Sequence, residues 1–195
     1  PIQFADPYVK KVCVEKFDTN GDGELSYKEA AAVTRIGDNF FGDYAIAAKT
    51  FDELQYFVNI VSIGEGAFSG CSSLSSMTIP EGVISIGERT FRGCSSLTSI
   101  TIPEGVTSIG NYAFYGCLGL TSITIPEGIT SIGGGVFEYC TSLTSVNIPE
   151  SVTTIGGYAF EGCDSLTSVN IPESVTTIGG SAFYGCSSLT SITIP

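Results

Sequence analysis

The chain of 195 residues contains no histidine, the side chain that most often serves as a general base or binds a transition metal. Histidine is also the usual partner that activates a nucleophilic serine or cysteine. Without it these routes to catalysis are closed, and we expect a protein that is not an enzyme.

Basic residues are scarce as well: 8 lysines and arginines stand against 20 acidic residues, which gives a formal charge of −12. Such a charge repels the phosphates of nucleic acids and the headgroups of anionic lipids. No stretch approaches the roughly 20 consecutive apolar residues of a spanning helix, and the chain does not open on a basic and then apolar leader. We therefore expect no nucleic-acid partner, no membrane insertion and no signal segment within this chain.

What the sequence does have is a repeat of 23 residues. Apolar residues make up 43% of the chain, which is enough for a substantial core. The register continues without insertion or deletion from Ile60 onward, so every coil must follow nearly the same path. The recurring side chains are Cys71, Cys94, Cys117, Cys140, Cys163 and Cys186; Pro80, Pro103, Pro126, Pro149, Pro172 and Pro195; Phe68, Phe91, Phe114, Phe137, Phe160 and Phe183; and Ile63, Ile86, Ile109, Ile132, Ile155 and Ile178.

One repeat, from Ser96 to Cys117, predicts the path of a coil. Ile100 and Ile102 alternate with Ser and Thr, which is typical of a β-strand, and Pro103 ends that strand because it has no N–H to donate. A second short extended segment follows around Ile109. Apolar residues at the spacing of one helical turn then close the coil.

The apolar residues of a single coil have nothing above or below to cover them, so the coils must stack. Parallel strands about 4.8 Å apart would then bury a continuous core. We predict a β-rich solenoid, a parallel stack of 23-residue coils over residues 60–195, with a small α-helical cap at residues 1–59.

The repeat SLTSITIPEGVTSIGNYAFYGC resembles the leucine-rich repeat superfamily, and in particular its BspA-like bacterial branch. Departures within the chain are minor: Thr90 and Val136 stand where other coils have Ala, and Tyr139 where they have Gly. BspA-like proteins are typically secreted or cell-surface proteins of host-associated anaerobic bacteria and some protists, and several bind host matrix glycoproteins. The resemblance thus implies an extracellular or cell-surface location and protein or glycoprotein partners, including those of the host extracellular matrix.

Before the repeat, Asp6 and Pro7 form a good helix start, and apolar residues at helical spacing predict an amphipathic helix from Pro7 to Phe17. The segment DTNGDGELSYKE that follows matches the calcium loop of an EF-hand at each constrained position. Calcium prefers about six to eight oxygen ligands, and Gly23 permits the sharp turn that gathers them. The predicted ligands are the side chains of Asp18, Asn20, Asp22, Ser26 and Glu29, with the backbone carbonyl of Glu24.

The alternative for this loop is a glycine-rich acidic turn that binds nothing. EF-hands that open on binding normally occur in pairs, and the sequence shows one, so a structural calcium ion is favoured over a regulatory one. Calcium is the cofactor we expect.

A divergent coil joins this cap to the regular repeat, because VTRIG at residues 33–37 matches VTSIG at residues 106–110. Thr50 and Glu53 then predict a capping box for a short helix from Phe51 to Phe57.

The strand of each coil predicts where a partner would dock, since alternate residues cannot all face the core. Two uncharged rows should point outward: Ser76, Ser99, Ser122, Ser145, Ser168 and Ser191, beside Thr78, Thr101, Thr124, Asn147, Asn170 and Thr193. Within them, the predicted partner-binding residues are Ser99, Thr101, Ser122, Thr124, Ser145, Asn147, Ser168 and Asn170. The alternative is that Ser and Thr are present only because they suit a solvated strand.

Three other rows follow from the repeat. The cysteine row should be buried thiols, because parallel Cβ vectors do not suit a disulfide and ligands in one line cannot surround zinc. An acidic row should be exposed, and weak cation binding there stays open. A tyrosine cluster with Arg92 marks either an interface or a cover for the coil edge. The acids are Glu81, Glu104, Glu127, Glu150 and Glu173, and the tyrosines are Tyr112, Tyr115, Tyr158 and Tyr184.

These features favour an extracellular binding or adhesion module. An architectural spacer within a larger surface protein is the alternative, and a hydrolase using paired carboxylates is less favoured because its acids would lie in an exposed row or in the calcium loop. The last segment, SSLTSITIP, stops after the first strand of a coil. We therefore expect a monomer with an open end at Pro195, where the chain continues or two ends associate weakly.

Overall fold

The computed structural model describes residues 1–194, so the prediction of an open end at Pro195 lies outside the described residues. Two α-helices open the chain, α1 (Pro7–Phe17) and α2 (Tyr27–Ala32), and two 3₁₀ helices follow at Gly42–Ala47 and Asp52–Tyr56. The Asp6 side chain caps α1 by accepting hydrogen bonds from the backbone N–H groups of Tyr8 and Val9. The predicted first helix is confirmed at both ends.

Within residues 1–194, thirteen short strands form two faces, which we call the front and rear sheets. The front strands are β2 (Thr50–Phe51), β4 (Ser76–Met77), β7 (Ser122–Thr124), β9 (Ser145–Asn147), β11 (Ser168–Asn170) and β13 (Ser191–Thr193). The rear strands are β1 (Arg35–Ile36), β3 (Ser62–Ile63), β5 (Ser85–Ile86), β6 (Ser108–Ile109), β8 (Ser131–Ile132), β10 (Thr154–Ile155) and β12 (Thr177–Ile178).

Every strand pair in both sheets is parallel, and the paired strands of the regular coils lie one coil apart, except that β4 pairs with β2 of the divergent coil. Ser122, for instance, lies opposite Ser145. The divergent coil joins the same rear sheet, because Ile36 pairs with Ile63. The predicted leucine-rich-repeat solenoid is confirmed.

The core is a column of stacked side chains that runs the length of the solenoid. The phenylalanine rings of successive coils stack nearly parallel, as Phe68 does on Phe91 with centroids 5.2 Å apart and planes 7° from parallel. Beside them, each cysteine thiol from Cys94 onward donates a hydrogen bond to the carbonyl of the phenylalanine 26 residues earlier, at 3.1 to 3.2 Å. These rows hold each coil to its neighbour through buried contacts as well as through the sheets.

Two buried carboxylates join the N-terminal helical segment to the divergent coil. The Asp6 side chain accepts a hydrogen bond from Lys49 N–H at 2.7 Å, and Glu53 accepts one from Ala5 N–H at 2.7 Å. The predicted capping box of Thr50 and Glu53 is therefore wrong. Thr50 belongs to β2, and no side chain caps the helix that follows. The Glu53 carboxylate bonds to Ala5 instead of to its own helix.

One junction between coils, which we call the open junction, lacks a ladder in both sheets. Within residues 1–194, no pairing joins β6 to β8 in the rear sheet. In the front sheet, residues 99–102 form no ladder with β4 or with β7, although Thr121 N–H still donates a hydrogen bond to the Thr98 carbonyl at 3.2 Å. At this junction Phe114 and Phe137 lie 5.6 Å apart, whereas the other four pairs of the stack lie 5.1 to 5.3 Å apart. Backbone hydrogen bonds remain along the third side, as from Phe114 N–H to the Val136 carbonyl.

The sequence offers a physical cause for the open junction. Val136 replaces the smaller Ala113 and Ala159 of the neighbouring coils, and Ile129 replaces a valine. Both enlarged side chains are buried. Extra methyl groups in a core push neighbouring layers apart. Ile129 and Val136 line a small apolar cavity together with Ile109 and Ile132, the rear-strand residues that do not pair at this junction.

We expect the amides of Thr130 and Gly133 to exchange with solvent at least about tenfold faster than those of Thr153 and Gly156. Thr153 and Gly156 donate to carbonyls of the preceding coil at 2.9 and 2.7 Å, while Thr130 and Gly133 have no such partner in residues 1–194. NMR-detected hydrogen exchange measures all four. Equal protection would show that the junction is closed in solution, and the double variant Ile129→Val with Val136→Ala should slow the two fast amides.

Candidate functional site

The front sheet exposes the two rows that the sequence predicts. In β7, Ser122 and Thr124 are exposed while Ile123 between them is 5% exposed. The same alternation continues along the solenoid, and all eight predicted partner-binding residues are exposed: Ser99, Thr101, Ser122, Thr124, Ser145, Asn147, Ser168 and Asn170. The result is an uncharged face of short side chains that can donate and accept hydrogen bonds.

A groove crosses this face at the open junction. It has a volume of about 360 Å³ and is lined by Ser99, Thr101, Ser122, Thr124 and Glu104. Because residues 99–102 form no ladder in the described structure, their backbone N–H and carbonyl groups add to the hydroxyl groups of the lining. Among the residues that the structure describes, no aromatic or basic side chain lines the groove.

The second candidate surface lies on the turn side of the coils. Four side chains there form a continuous line, which we call the tyrosine edge: Arg92, Tyr115, Tyr139 and Glu161. The Arg92 guanidinium lies 5.2 Å from the Tyr115 ring centroid, the Tyr115 and Tyr139 rings are 5.6 Å apart and perpendicular, and the Tyr139 hydroxyl is 3.3 Å from the Glu161 carboxylate. Tyr158 and Tyr184, predicted in the same cluster, are exposed but lie outside this line of contacts.

The tyrosines also cover the backbone of the next coil. A Cβ placed on Gly162 would lie 2.5 Å from the Tyr139 ring, and one placed on Gly135 would meet the Tyr112 ring. The inner faces of these rings are thus occupied, yet 40% of Tyr139 remains exposed. Covering the coil edge and offering an aromatic surface are compatible roles here.

The predicted calcium loop folds tightly around its own acidic side chains. Asp18 accepts hydrogen bonds from the backbone N–H groups of Asn20, Gly21 and Gly23 at 2.8 to 3.2 Å. Asp22 accepts one from Glu24 N–H at 2.9 Å and one from the Asn20 amide at 3.0 Å. These side chains share one turn.

Glu29 has a second role that the loop pattern does not reveal. It forms a capping box with Ser26 at the start of α2, and its other carboxylate oxygen accepts bonds from Thr19. Hydrogen bonds from Ser26 and then from Thr19 lower the pKa of Glu29 to about 2, so the carboxylate is ionised at neutral pH. The S-x-x-E spacing was the signal for this cap.

The residues of the loop fit a calcium ion if Glu29 exchanges some of its hydrogen bonds for bonds to the ion. As placed, no three acidic, cysteine or histidine side chains within residues 1–194 converge as a metal cluster. Asp18, Asn20 and Asp22 each retain accepting capacity, but five hydrogen bonds occupy the two oxygens of Glu29. Bidentate ligation by Glu29 therefore requires it to give up some of those bonds.

The charge of the loop favours a cation. Asp18, Asp22 and Glu29 form no ion pair within the described part of the chain. Lys10 lies 2.8 Å from the Glu24 carboxylate, which is not a predicted ligand, since Glu24 would contribute its backbone carbonyl. Like charges gathered without a counter-ion repel, and a divalent cation would relieve that repulsion.

The other predicted rows lie as expected from the repeat. The cysteines are free thiols, buried from Cys71 to Cys163. The acidic row of Glu81, Glu104, Glu127, Glu150 and Glu173 is exposed.

None of the helices in residues 1–194 has the length and apolar character needed to cross a membrane.

The repeat matches one protein family. A family model described as the BspA type leucine rich repeat region matches in 6 copies, over residues 34–164 and 107–195. The match therefore begins inside the divergent coil. No curated protein sequence is significantly similar to the chain.

Solved structures of bacterial repeat proteins resemble the solenoid. A leucine rich cell surface protein of Faecalibacterium prausnitzii is 40% identical with a TM-score of 0.71, and the match covers 83% of this chain and 42% of that one. The Treponema pallidum leucine rich repeat protein is 28% identical with a TM-score of 0.61, over 86% of this chain and 81% of that one. A leucine-rich repeat protein of Bacteroides ovatus is 30% identical with a TM-score of 0.59, and the match covers 84% of this chain and 50% of that one. The chain thus spans half or less of the first and third proteins.

Proposed function

The chain belongs to the BspA-type leucine-rich repeat family, and on that premise we propose that it is a binding module of the cell surface or the extracellular space. The front sheet recognises protein or glycoprotein partners. The observation that carries this proposal is the exposure of two uncharged hydrogen-bonding rows across consecutive coils, while the alternate residues of the same strands are buried in the core. The similarity to a cell-surface protein of Faecalibacterium prausnitzii supports the location.

The chemistry of the front sheet favours weak contacts that add up. The rows lack the large aromatic and arginine side chains that dominate tight interfaces. Each coil therefore contributes little, and strength comes from repeating the same contact along a rigid array. Such a surface suits adhesion to a large, repetitive partner.

Calcium is the second part of the proposal. The ion binds the side chains of Asp18, Asn20, Asp22, Ser26 and Glu29 and the Glu24 carbonyl. It is structural, because the loop lies between α1 and α2 and the Asp6 side chain that caps α1 also bonds to Lys49 of the divergent coil. Holding the loop would thus hold the cap on the first coils.

Replacing Thr101, Thr124 and Asn147 together by arginine tests the front sheet. The three side chains are exposed, so the variant should fold, while added bulk and charge should weaken binding to immobilised extracellular-matrix glycoproteins or glycans at least about tenfold. The affinity is measured by surface plasmon resonance against the glycoprotein that the wild type captures.

The matched control places arginine at Thr107, Thr130 and Thr153, which are exposed on the rear side of the same coils. That variant should bind as the wild type does. If the front variant stays folded and binds equally well, the docking surface is not the front sheet. If the wild type captures none of the glycoproteins or glycans, the role of an architectural spacer is favoured.

A further inference from the structure

We propose that the tyrosine edge pairs two copies of this chain about a twofold axis, with Arg92 of each copy against Glu161 of the other. The surface is separate from the front sheet and does not depend on the function proposed there. Tyr115 and Tyr139 form the centre of the contact.

The four side chains that define the edge are self-complementary in their order. Arg92, Tyr115, Tyr139 and Glu161 come from four successive coils, and the third of these coils also carries Glu138, at the repeat position that Arg92, Tyr115 and Glu161 occupy in theirs. Reading the line in the opposite direction places Glu161 opposite Arg92 and Tyr139 opposite Tyr115. A surface with this property meets a second copy through a twofold axis, in a closed interface where each contact occurs twice.

The charged groups of the edge form no ion pair within residues 1–194. All eight basic residues lie between residues 10 and 92, so the seven acids from Glu104 to Glu173 have no cation in their own half of the molecule. Arg92 forms no ion pair within residues 1–194, whereas Arg89 beside it contacts Glu65 and Glu88. A second copy in the opposite orientation brings the free guanidinium of one chain to the unmatched carboxylate of the other.

At the acidic end of the edge, the Glu161 charge raises the pKa of neighbouring groups. Glu138 and Glu161 lie on adjacent coils, and burial together with the Glu161 charge raises the pKa of Glu138. The Glu161 charge likewise raises the pKa of Tyr139. A cation supplied from outside the chain would offset the part of both pKa shifts that comes from the Glu161 charge.

The aromatic centre is held in place before any partner arrives. The Arg92 guanidinium lies over the Tyr115 ring, Tyr115 packs perpendicular to Tyr139, and Tyr139 lies on the Gly162 backbone. Little side-chain entropy is then lost on contact. Tyrosine and arginine are also the residues most enriched where interfaces gain their energy.

The net charge of −12 on each copy opposes association, so the dimer should be weak and should form at high protein concentration. Sedimentation velocity over a concentration series measures its Kd. Arg92→Glu and Glu161→Arg each create two like-charge contacts, and each should weaken the dimer roughly tenfold or more.

An equimolar mixture of the two variants provides the decisive comparison. In the mixed pair, both 92–161 contacts join opposite charges, so the mixture should dimerise within about threefold of the wild type. The double variant carrying both changes should recover in the same way. Arg92 and Tyr139 are exposed and Glu161 is partly so, and the melting temperatures of the variants should stay near that of the wild type.

Two results would overturn the proposal. One is a wild type that remains monomeric throughout the series. The other is a dimer that the single variants leave unchanged or that the mixture fails to restore, which would place the contact elsewhere, such as at the end of the solenoid.

Discussion

Gly156→Ala is expected to lower the free energy of unfolding by about 3 kcal/mol, at the upper end for a side chain forced into a filled space. A Cβ on Gly156 would lie 2.7 Å from the Gly133 carbonyl carbon and 2.7 Å from the Gly134 nitrogen. Both atoms are backbone, so they cannot move aside without separating the two coils. Gly156 also donates a hydrogen bond to Ile132 at 2.7 Å, which the same movement would break.

Urea denaturation monitored by circular dichroism measures this loss. Gly180→Ala is the matched control, because a Cβ at Gly180 meets nothing within 4 Å. That variant should unfold within about 0.5 kcal/mol of the wild type, as surface substitutions usually do. If the two alanine variants unfold alike, the coils do not approach as closely as the structure places them.

Calcium is expected to stabilise the chain by about 2.7 kcal/mol when its concentration is a hundred times the Kd, because an ion bound to the folded state alone shifts the folding equilibrium. For a chain of this size that corresponds to roughly 5 to 10 °C in the melting temperature of the unit that contains the loop. The measurement compares melting in calcium with melting in a chelator.

Glu29→Ala should abolish the calcium-dependent shift. Since Glu29 also caps α2, that variant should melt lower even in the chelator, so the informative quantity is the difference between the two conditions. Asp18→Asn removes the charge of one ligand and leaves the Glu29 cap of α2 in place. It should also reduce the difference in melting temperature between calcium and chelator. Glu24→Gln is the control, because only the Glu24 carbonyl is a proposed ligand, and it should retain the full shift. A wild type that melts identically in both conditions would mean that the loop is an acidic turn without an ion.

The sequence predicted the stacking because the repeat has no insertion. When Ile63, Ile86 and their counterparts recur at one spacing, a single coil path satisfies all of them, and the parallel pairing of β3 with β5 follows. The start of α1 was equally predictable, since Asp6 and Pro7 act locally. Features decided within a few residues, or repeated many times, can be derived from sequence.

Features that depend on distances between coils could not be derived. The sequence shows Val136 in place of Ala but not that the rear sheet separates there, because that depends on how much room the neighbouring coil leaves. The sequence likewise predicted a cap role for Glu53, whose carboxylate instead bonds to Ala5, 48 residues away. The chain of contacts from Arg92 to Glu161 arises from four coils and is visible once they are stacked.

The reactivity of the buried cysteines can report where along the solenoid neighbouring coils separate. Only the thiolate reacts with alkylating reagents, and burial raises the pKa of Cys71 and of Cys163 to about 12 and those of the cysteines between them well above the ordinary value. A thiol that also donates to a carbonyl of the preceding coil can be labelled after those two coils separate. The labelling rate at each position therefore reports how often that layer opens, and half-buried Cys186 marks the fast end of the scale.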